Sequence, residues 1–260
     1  MKIKANGISI NYQVDGPDGA PWLVLSNSLA TNLTMWDDQA RELGRAFRVL
    51  RYDQRGHGAT EAPAGRYPFD LLIDDALALM DALAIRKAHF AGLSMGGATA
   101  LGLAQKHADR LDRIIVCDSP CQSTPTSSQQ WEERIVVAQA QGMEALVEPT
   151  IARWFPPDVI KANPPHVDKV RQMIRTTPVD GFIGCAAALA DHDYAAAVAR
   201  VTRPVLFLVG EKDAAAPPMR KLNEALPSSR FVELAGAGHI SNLDQPEGFT
   251  RAVKDFLAAK

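Results

Sequence analysis

The sequence lacks the features that mark several large classes of protein. Its 260 residues contain no run of about 18 apolar residues, so no membrane-spanning helix is expected. Acidic and basic side chains nearly balance, and the formal net charge is −2. This balance gives no electrostatic reason to expect nucleic acid or a membrane surface as a partner. We therefore expect a small-molecule ligand, and nothing in the sequence indicates an oligomeric state.

Cysteine is also scarce. The three cysteines, Cys117, Cys121 and Cys185, are an odd number and match no metal-binding spacing, so neither a disulfide framework nor a metal site is expected. Cys117 ends a short apolar run, which predicts a buried thiol. Residues 1–7 lack the apolar stretch of a signal peptide. Together these absences favour a reducing cytoplasm as the location.

Short apolar segments alternate with stretches of helical periodicity. The segments are bounded by turn or polar residues, as is typical of strands buried on both faces; they are residues 22–26, 48–52, 88–92, 113–117, 204–209 and 230–234. Residues 71–83 have the apolar spacing of a helix. Residues 8–14 alternate in polarity and predict an antiparallel edge hairpin. The pattern predicts an α/β fold with a mostly parallel sheet and helices on both faces.

This alternation stops between residues 119 and 201. Residues 129–141 and 144–155 have helical patterns, and two proline pairs, at 156–157 and 164–165, are expected to end helices. The polar residues 123–130 are expected to form a mobile connection. We predict a core domain of residues 1–119 and 202–260 with a helical cap of residues 120–201. The cap is expected over the carboxyl ends of the strands, where open α/β sheets bind ligands.

A G-x-S-x-G motif at residues 92–96 is the strongest chemical signal. It follows a predicted strand and precedes a predicted helix over residues 98–107. The small flanking residues suit a serine on a strained strand-to-helix turn, with its hydroxyl at the positive end of the helix. Alone, the motif also fits a tight turn with an incidental serine. In this context it predicts Ser94 as a nucleophile.

A serine nucleophile needs a base and a group that orients the base. In this arrangement the chain order is Ser, then an acid, then His. The strand predicted at 204–209 leads to Glu211 and Asp213, and the strand at 230–234 leads to a glycine-rich loop with His239. We predict His239 as the base and prefer Asp213 to Glu211 as the acid, because the residue farther from the strand is the usual one. His57 is expected to be structural, in a turn near the site.

Acyl transfer also needs hydrogen-bond donors for the negative charge that develops on the carbonyl oxygen. One donor is predicted to be the backbone N–H of Met95, the residue after the nucleophile. The other is expected in the loop after an early strand, here residues 26–31, and we choose the N–H of Leu29.

These motifs, together with residues 53–58, resemble the α/β-hydrolase superfamily over essentially the whole chain. A narrower resemblance is to the 3-oxoadipate enol-lactonases of bacterial aromatic degradation. It rests on residues 26–31 with 35–37, on cap residues 176–182 and 184–189, and on residues 191–194. The chain departs from many relatives at Asn27-Ser28, where they have His-Gly.

The resemblance implies hydrolysis of 3-oxoadipate enol-lactone to 3-oxoadipate through an acyl-enzyme on Ser94, with no metal or organic cofactor. The carboxylate of this substrate needs a partner, and arginine is the natural bidentate one. We select Arg134 for this role, with Trp131 and Trp154 as pocket walls. The alternative is a solvated arginine and tryptophans that pack the cap on the core.

Other functions are compatible with the same core residues. A broader esterase, or a hydrolase of carbon–carbon bonds in aromatic breakdown products, would differ only in the cap. A non-catalytic ligand-binding protein on the same scaffold is the alternative from another class. Haloalkane dehalogenases and epoxide hydrolases are disfavoured, because they have an aspartate at the position of Ser94.

Overall fold

Eight strands form one sheet in the part of the chain that the computed structural model describes, residues 1–198, 200–226 and 228–259. They are β1 (Lys2–Ala5), β2 (Ile8–Asp15), β3 (Trp22–Ser26), β4 (Arg48–Tyr52), β5 (Ala88–Leu93), β6 (Leu111–Cys117), β7 (Val205–Gly210) and β8 (Arg230–Leu234). Their order across the sheet is β1-β2-β4-β3-β5-β6-β7-β8. Strand β2 pairs antiparallel with β1 and β4, whereas the other pairs are parallel. The predicted sheet with its antiparallel edge is confirmed.

Helices cover both faces of this sheet. The α-helices are α1 (Asp37–Leu43), α2 (Phe69–Ala82), α3 (Met95–Lys106), α4 (Pro125–Gln141), α5 (Glu144–Trp154), α6 (Pro157–Ala162), α7 (Pro165–Thr176), α8 (Val179–Asp191), α9 (Ala195–Val198), α10 (Ala216–Ala225), α11 (Ser241–Asp244) and α12 (Pro246–Ala258). All six residues of β7 are buried. Because neighbouring residues of a strand point to opposite faces, both faces are covered. None of the helices in the described ranges is long and apolar enough to cross a membrane.

The segment between β6 and β7 is helical from α4 to α9. Within it, α4 packs along α8 and α5 packs along α7. Its β-structure, as far as the chain is described, is an isolated bridge between Gln122 and Asp193. The segment contains the residues expected to form a cap, and the boundaries at residues 120 and 201 stay predictions.

The expectation of a mobile connection over residues 123–130 is wrong, because helix α4 begins at Pro125. Thr124 caps this helix: its hydroxyl accepts a hydrogen bond from the Ser127 N–H at 3.2 Å, and the Ser127 hydroxyl accepts one from the Thr124 N–H at 2.7 Å. Pro125 has the backbone angle of a first helical residue and needs no hydrogen-bond acceptor there. The polar residues are thus the first turns of a helix.

The two proline pairs begin helices as well as following them. Pro157 and Pro165 are the first residues of α6 and α7. The preceding helices end earlier, at Trp154 and Ala162. The expectation that these pairs end helices is therefore incomplete, because proline at a first helical position loses no intrahelical hydrogen bond.

Candidate active site

Ser94 lies on the sharp turn between β5 and α3. Its backbone angles are φ 55° and ψ −113°, a strained conformation for a residue other than glycine. A Cβ at Gly92 would overlap the backbone of Gly96, and a Cβ at Gly96 would overlap the backbone of Ser26. The two glycines of the motif are therefore required by close backbone approach. The turn presents Ser94 to a pocket that it shares with the other predicted site residues.

His239 and Asp213 form a direct side-chain contact. The Nδ1 of His239 lies 2.9 Å from Oδ2 of Asp213, which fixes Nδ1 as the donor and leaves Nε2 as the free acceptor. The Ala215 N–H also donates to Asp213, at 3.2 Å. Burial alone would raise the pKa of the Asp213 carboxyl, but the charge and hydrogen bond of His239 outweigh it and the pKa is lowered.

The competing acid, Glu211, points elsewhere. One of its carboxylate oxygens accepts a hydrogen bond from the Gly236 N–H at 2.8 Å, and the other pairs with Lys212 at 3.1 Å on the surface. The structure thus brings Asp213, and not Glu211, to His239.

The pocket between the sheet and the cap helices has a volume of about 250 Å³. It brings together nearly all residues selected from the sequence, namely Leu29, Ser94, Trp131, Arg134, Trp154, Asp213 and His239. Met95 is the exception, since its side chain is fully buried. Only its backbone can serve the site: as the first residue of α3 its N–H has no acceptor within the helix.

The loop that carries Leu29 is held by side-chain hydrogen bonds. The Asn27 amide donates to the carbonyl oxygens of Ser28 and Thr31 at 2.9 and 3.1 Å. The carbonyl oxygen of the Asn27 side chain accepts from the Gln54 N–H at 2.9 Å. Asn27 therefore shapes this loop. Among the described residues, the Leu29 N–H has no protein acceptor.

His57 also supports this loop. Its Nε2 accepts a hydrogen bond from the Ala30 N–H at 2.8 Å, and its Nδ1 lies 3.0 Å from the carbonyl oxygen of Arg55. The side chain is fully buried, and desolvation lowers the pKa of the imidazole. Neutral His57 with the proton on Nδ1 satisfies both contacts, which agrees with the structural role expected of it.

Two arginines face one tryptophan on the cap side of the pocket. The guanidinium carbons of Arg134 and Arg153 lie 4.6 and 5.4 Å from the centroid of the Trp131 ring. Neither guanidinium donates a hydrogen bond to a carboxylate of the described chain. Desolvation lowers the pKa of both groups, and for Arg153 the positive charge of Arg134 adds to it. These two cations, which form no salt bridge in the described part of the chain, are a candidate anion site.

Sequence reasoning missed Arg153. Arg134 and Trp131 are one helical turn apart on α4, so their proximity is readable from spacing. Arg153 comes from α5, and only the packing of α5 against α4 brings it to Trp131. Arg153 is exposed to solvent, and it also lines the pocket.

Trp154 contacts His239 as well as lining the pocket. The two rings stack with centroids 5.6 Å apart and an interplanar angle of 29°. The carbonyl oxygen of Trp154 accepts the His239 N–H at 2.7 Å. The last residue of α5 thus holds the histidine loop in place, a role that was not predicted.

A second histidine, His192, also lines this pocket. Its Nδ1 lies 2.8 Å from the carbonyl oxygen of Leu189, and its buried Nε2 has no partner in the described ranges. Desolvation lowers the pKa of this imidazole. Its only sequence signal is its place in the segment 191–194 that resembles the enol-lactonases.

The described residues contain no cluster of three side chains suited to a metal ion.

Comparisons with known proteins identify the family of this chain. The family model described as alpha/beta hydrolase family matches residues 19–252. A crystal structure of an enol-lactonase from Burkholderia xenovorans is similar to this chain with a TM-score of 0.96 and 39% identity, covering 100% of both chains. The 3-oxoadipate enol-lactonase 2 of Acinetobacter baylyi is 34% identical over 97% of this chain and 94% of its own length. A RutD protein of Pseudomonas syringae is 31% identical over 93% of this chain and 95% of its own length. Its name proposes carbamate hydrolysis as its activity. The chain is a hydrolase and belongs to the alpha/beta hydrolase family.

Proposed function

We propose that the protein is a serine hydrolase that opens 3-oxoadipate enol-lactone to 3-oxoadipate in the bacterial breakdown of aromatic compounds. One observation carries this proposal: Ser94 and His239 share a small pocket with two arginines that form no salt bridge within the described residues. The groups suited to ester cleavage therefore lie beside groups suited to an anion. The relatives named enol-lactonases support the same substrate.

In the proposed mechanism, the Ser94 hydroxyl attacks the ring carbonyl while Nε2 of His239 accepts its proton. Asp213 keeps the imidazole oriented and stabilises its positive charge. The N–H groups of Leu29 and Met95 donate to the oxyanion of the tetrahedral intermediate. Its collapse breaks the ring C–O bond, and the enol oxygen leaves with the proton from His239. The released enol, still attached through the acyl chain, becomes the ketone.

A water molecule then attacks the acyl-enzyme with His239 again as general base. The ester bond to Ser94 breaks, Ser94 recovers its proton, and 3-oxoadipate leaves with a new carboxylate. Overall, one water is added across the lactone bond. This sequence needs no redox partner and no external nucleophile other than water.

The carboxymethyl group of the lactone is assigned to Arg134 and Arg153. A carboxylate beside Trp131 would bring a negative charge to two guanidinium groups in a partly desolvated site, where the attraction is stronger than in water. Binding of the carboxylate would also orient the lactone ring relative to Ser94. Arg153 precedes Trp154 in the chain, and the Trp154 ring stacks on His239.

The test of the reaction is the loss of ultraviolet absorbance of the enol-lactone, compared with hydrolysis of neutral aryl esters and a small carbamate. We expect the lactone to have the highest kcat/KM. Ser94→Ala should abolish both turnover and labelling by a fluorophosphonate. Faster turnover of aryl esters or the carbamate would overturn the lactone assignment. Labelling of the Ser94→Ala variant would overturn the serine mechanism, and absence of any labelling of the wild type would favour a non-catalytic binding protein.

The test of the anion site compares Arg134→Ala and Arg153→Ala. Each should raise KM for the acidic lactone by about 10- to 100-fold, the range expected when a charge-assisted hydrogen bond worth about 1.5–3 kcal/mol is lost. KM for a neutral ester should change little. The matched control is Arg175→Ala, which removes a cap arginine that pairs with Glu144 on the surface. Equal increases of KM for the lactone and for the ester would contradict the assignment of the two arginines to carboxylate binding.

A further inference from the structure

A second buried carboxyl group lies beside Asp213. Asp118 directly follows β6 with a backbone φ of 48° and has no exposed surface. Its side chain accepts a hydrogen bond from the Gly210 N–H at 2.8 Å, and it contacts the hydroxyl of Ser241. The carbonyl oxygen of the same Gly210 accepts the Asp213 N–H at 3.1 Å, which brings both residues to the end of β7. A hydrogen bond from Asp118 is one cause of the lowered pKa of the Asp213 carboxyl. Asp118 thus connects the ends of β6 and β7 with the start of α11.

Two ionised carboxylates cannot hydrogen-bond each other, because each has only acceptor atoms. A contact between Asp118 and Asp213 therefore requires one proton. Asp213 already accepts from His239 and from the Ala215 N–H, both of which favour its ionised form. Among the described residues Asp118 contacts no cationic side chain, and burial followed by the charge of Asp213 raises the pKa of its carboxyl well above the usual range. The proton consequently belongs to Asp118.

Three titratable groups of the described chain lie around Asp118. They are the Asp213 carboxylate on the loop after β7, the His239 imidazole that contacts Asp213, and the Cys117 thiol. Burial and then the charge of Asp118 raise the pKa of this thiol. Arg153 interacts with the charge of Asp213 from the cap side. None of these supplies Asp118 with a cation in direct contact.

We propose that Asp118 is a positioning residue that remains a carboxylic acid, donates a hydrogen bond to Asp213 and holds that carboxylate in the orientation that His239 requires. The inference rests on the roles proposed above for Asp213 and His239. It differs from a purely structural role, in which Asp118 only ties Gly210 and Ser241 together.

Two variants of nearly the same size separate these roles. Asp118→Asn keeps a donor toward Asp213 but carries no ionisable proton, whereas Asp118→Leu has no donor. The rate constant for fluorophosphonate labelling of Ser94 measures the activated serine without dependence on the natural substrate. We expect Asp118→Leu to label about 10- to 100-fold more slowly than wild type, the fold-change for a lost hydrogen bond to a charged group, and Asp118→Asn to recover most of the rate.

The pH profile of labelling gives the second readout. Ionisation of Asp118 at high pH would place two negative charges side by side and remove the hydrogen bond, so wild type should lose labelling rate on the alkaline side. The Asp118→Asn variant should lack this alkaline loss. An infrared difference spectrum between the two proteins at neutral pH should contain the carbonyl stretch of one protonated carboxyl group.

Equal labelling of the Asp118→Leu and Asp118→Asn variants would overturn the inference, as would an alkaline limb in Asp118→Asn equal to that of wild type. If Asp118→Leu does not fold, the pH profile of labelling of the Asp118→Asn variant and the infrared band of the protonated carboxyl group still test the inference. Failure of the proposed function has a different signature, because Ser94→Ala would then be labelled like wild type whatever residue stands at 118.

Discussion

His57 is one of the residues that hold the loop containing Leu29 and Ala30. It bridges the Ala30 N–H and the carbonyl oxygen of Arg55 across a fully buried space. Leu29, whose N–H we assign to the oxyanion, directly precedes Ala30. A change at His57 therefore acts on the proposed oxyanion hole without contacting the substrate.

We expect His57→Leu to lower kcat and to leave KM for the lactone nearly unchanged, because the oxyanion exists only after attack. The buried Ala30 N–H would lose its acceptor, which costs about 1–3 kcal/mol. Steady-state kinetics together with urea unfolding measure both effects. His57→Gln, which can still accept from Ala30, is the conservative control. Loss of stability with unchanged kcat would show that His57 supports the fold but not the oxyanion.

At the scale of single residues, the sequence allowed a selection where the signal is local. Ser94 stands in a contiguous motif, and Asp213 and His239 follow predicted strands in a fixed chain order, so all three could be selected and all three line one pocket. Arg153, His192 and Asp118 could not be selected. Each acquires its neighbours only when separate elements pack, and isolated charged or imidazole side chains carry no spacing signal.

Helix α8 packs directly against residues that follow β4. A Cβ at Gly181 would overlap the backbone of Gly56, which precedes His57, and a Cβ at Gly184 would overlap the ring of Tyr67. The two glycines therefore allow α8 to approach the Gly56 backbone and the Tyr67 ring closely. The contact at Gly56 links the position of α8 to the turn that contains His57.

We expect Gly181→Ala to destabilise the protein by about 1–3 kcal/mol, the usual cost of overpacking, although alanine favours a helix. The matched control is Gly248→Ala in α12, where a Cβ would meet only ordinary contacts, the nearest at 3.4 Å. This control should stabilise by up to about 1 kcal/mol through helix propensity. Urea unfolding of both variants is the measurement, and a stabilising Gly181→Ala would contradict the tight docking of α8.

The strands were predictable from short segments bounded by turn or polar residues. Strands β3, β4 and β8 match their predicted segments residue for residue, and the fully buried β7 lies one residue beyond its predicted segment. The start of α4 was missed, since a helix with mostly exposed, polar first turns resembles a loop in composition. Its cap, Thr124 with Ser127, and Pro125 at its first position are signals that a closer reading of capping would use.

At the scale of the whole molecule, three imidazole groups respond to desolvation. The pKa of His57, of His89 and of His192 is lowered by it. Between the folded and unfolded pKa values, the unfolded chain binds more protons than the folded one, so stability rises with pH in that window. Their contribution is fully present above the unfolded pKa of about 6.5 and is lost as the pH falls.

We therefore expect the free energy of unfolding to decrease as the pH is lowered from about 7 toward about 5, before most carboxylates titrate. Urea unfolding across this range, at constant ionic strength, is the measurement. His89 lies on β5 against the ring of Phe47 and does not line the pocket, so His89→Gln should reduce the slope while kcat is retained. An unfolding free energy that is constant or rises toward pH 5 would mean that these imidazoles become protonated within the folded protein.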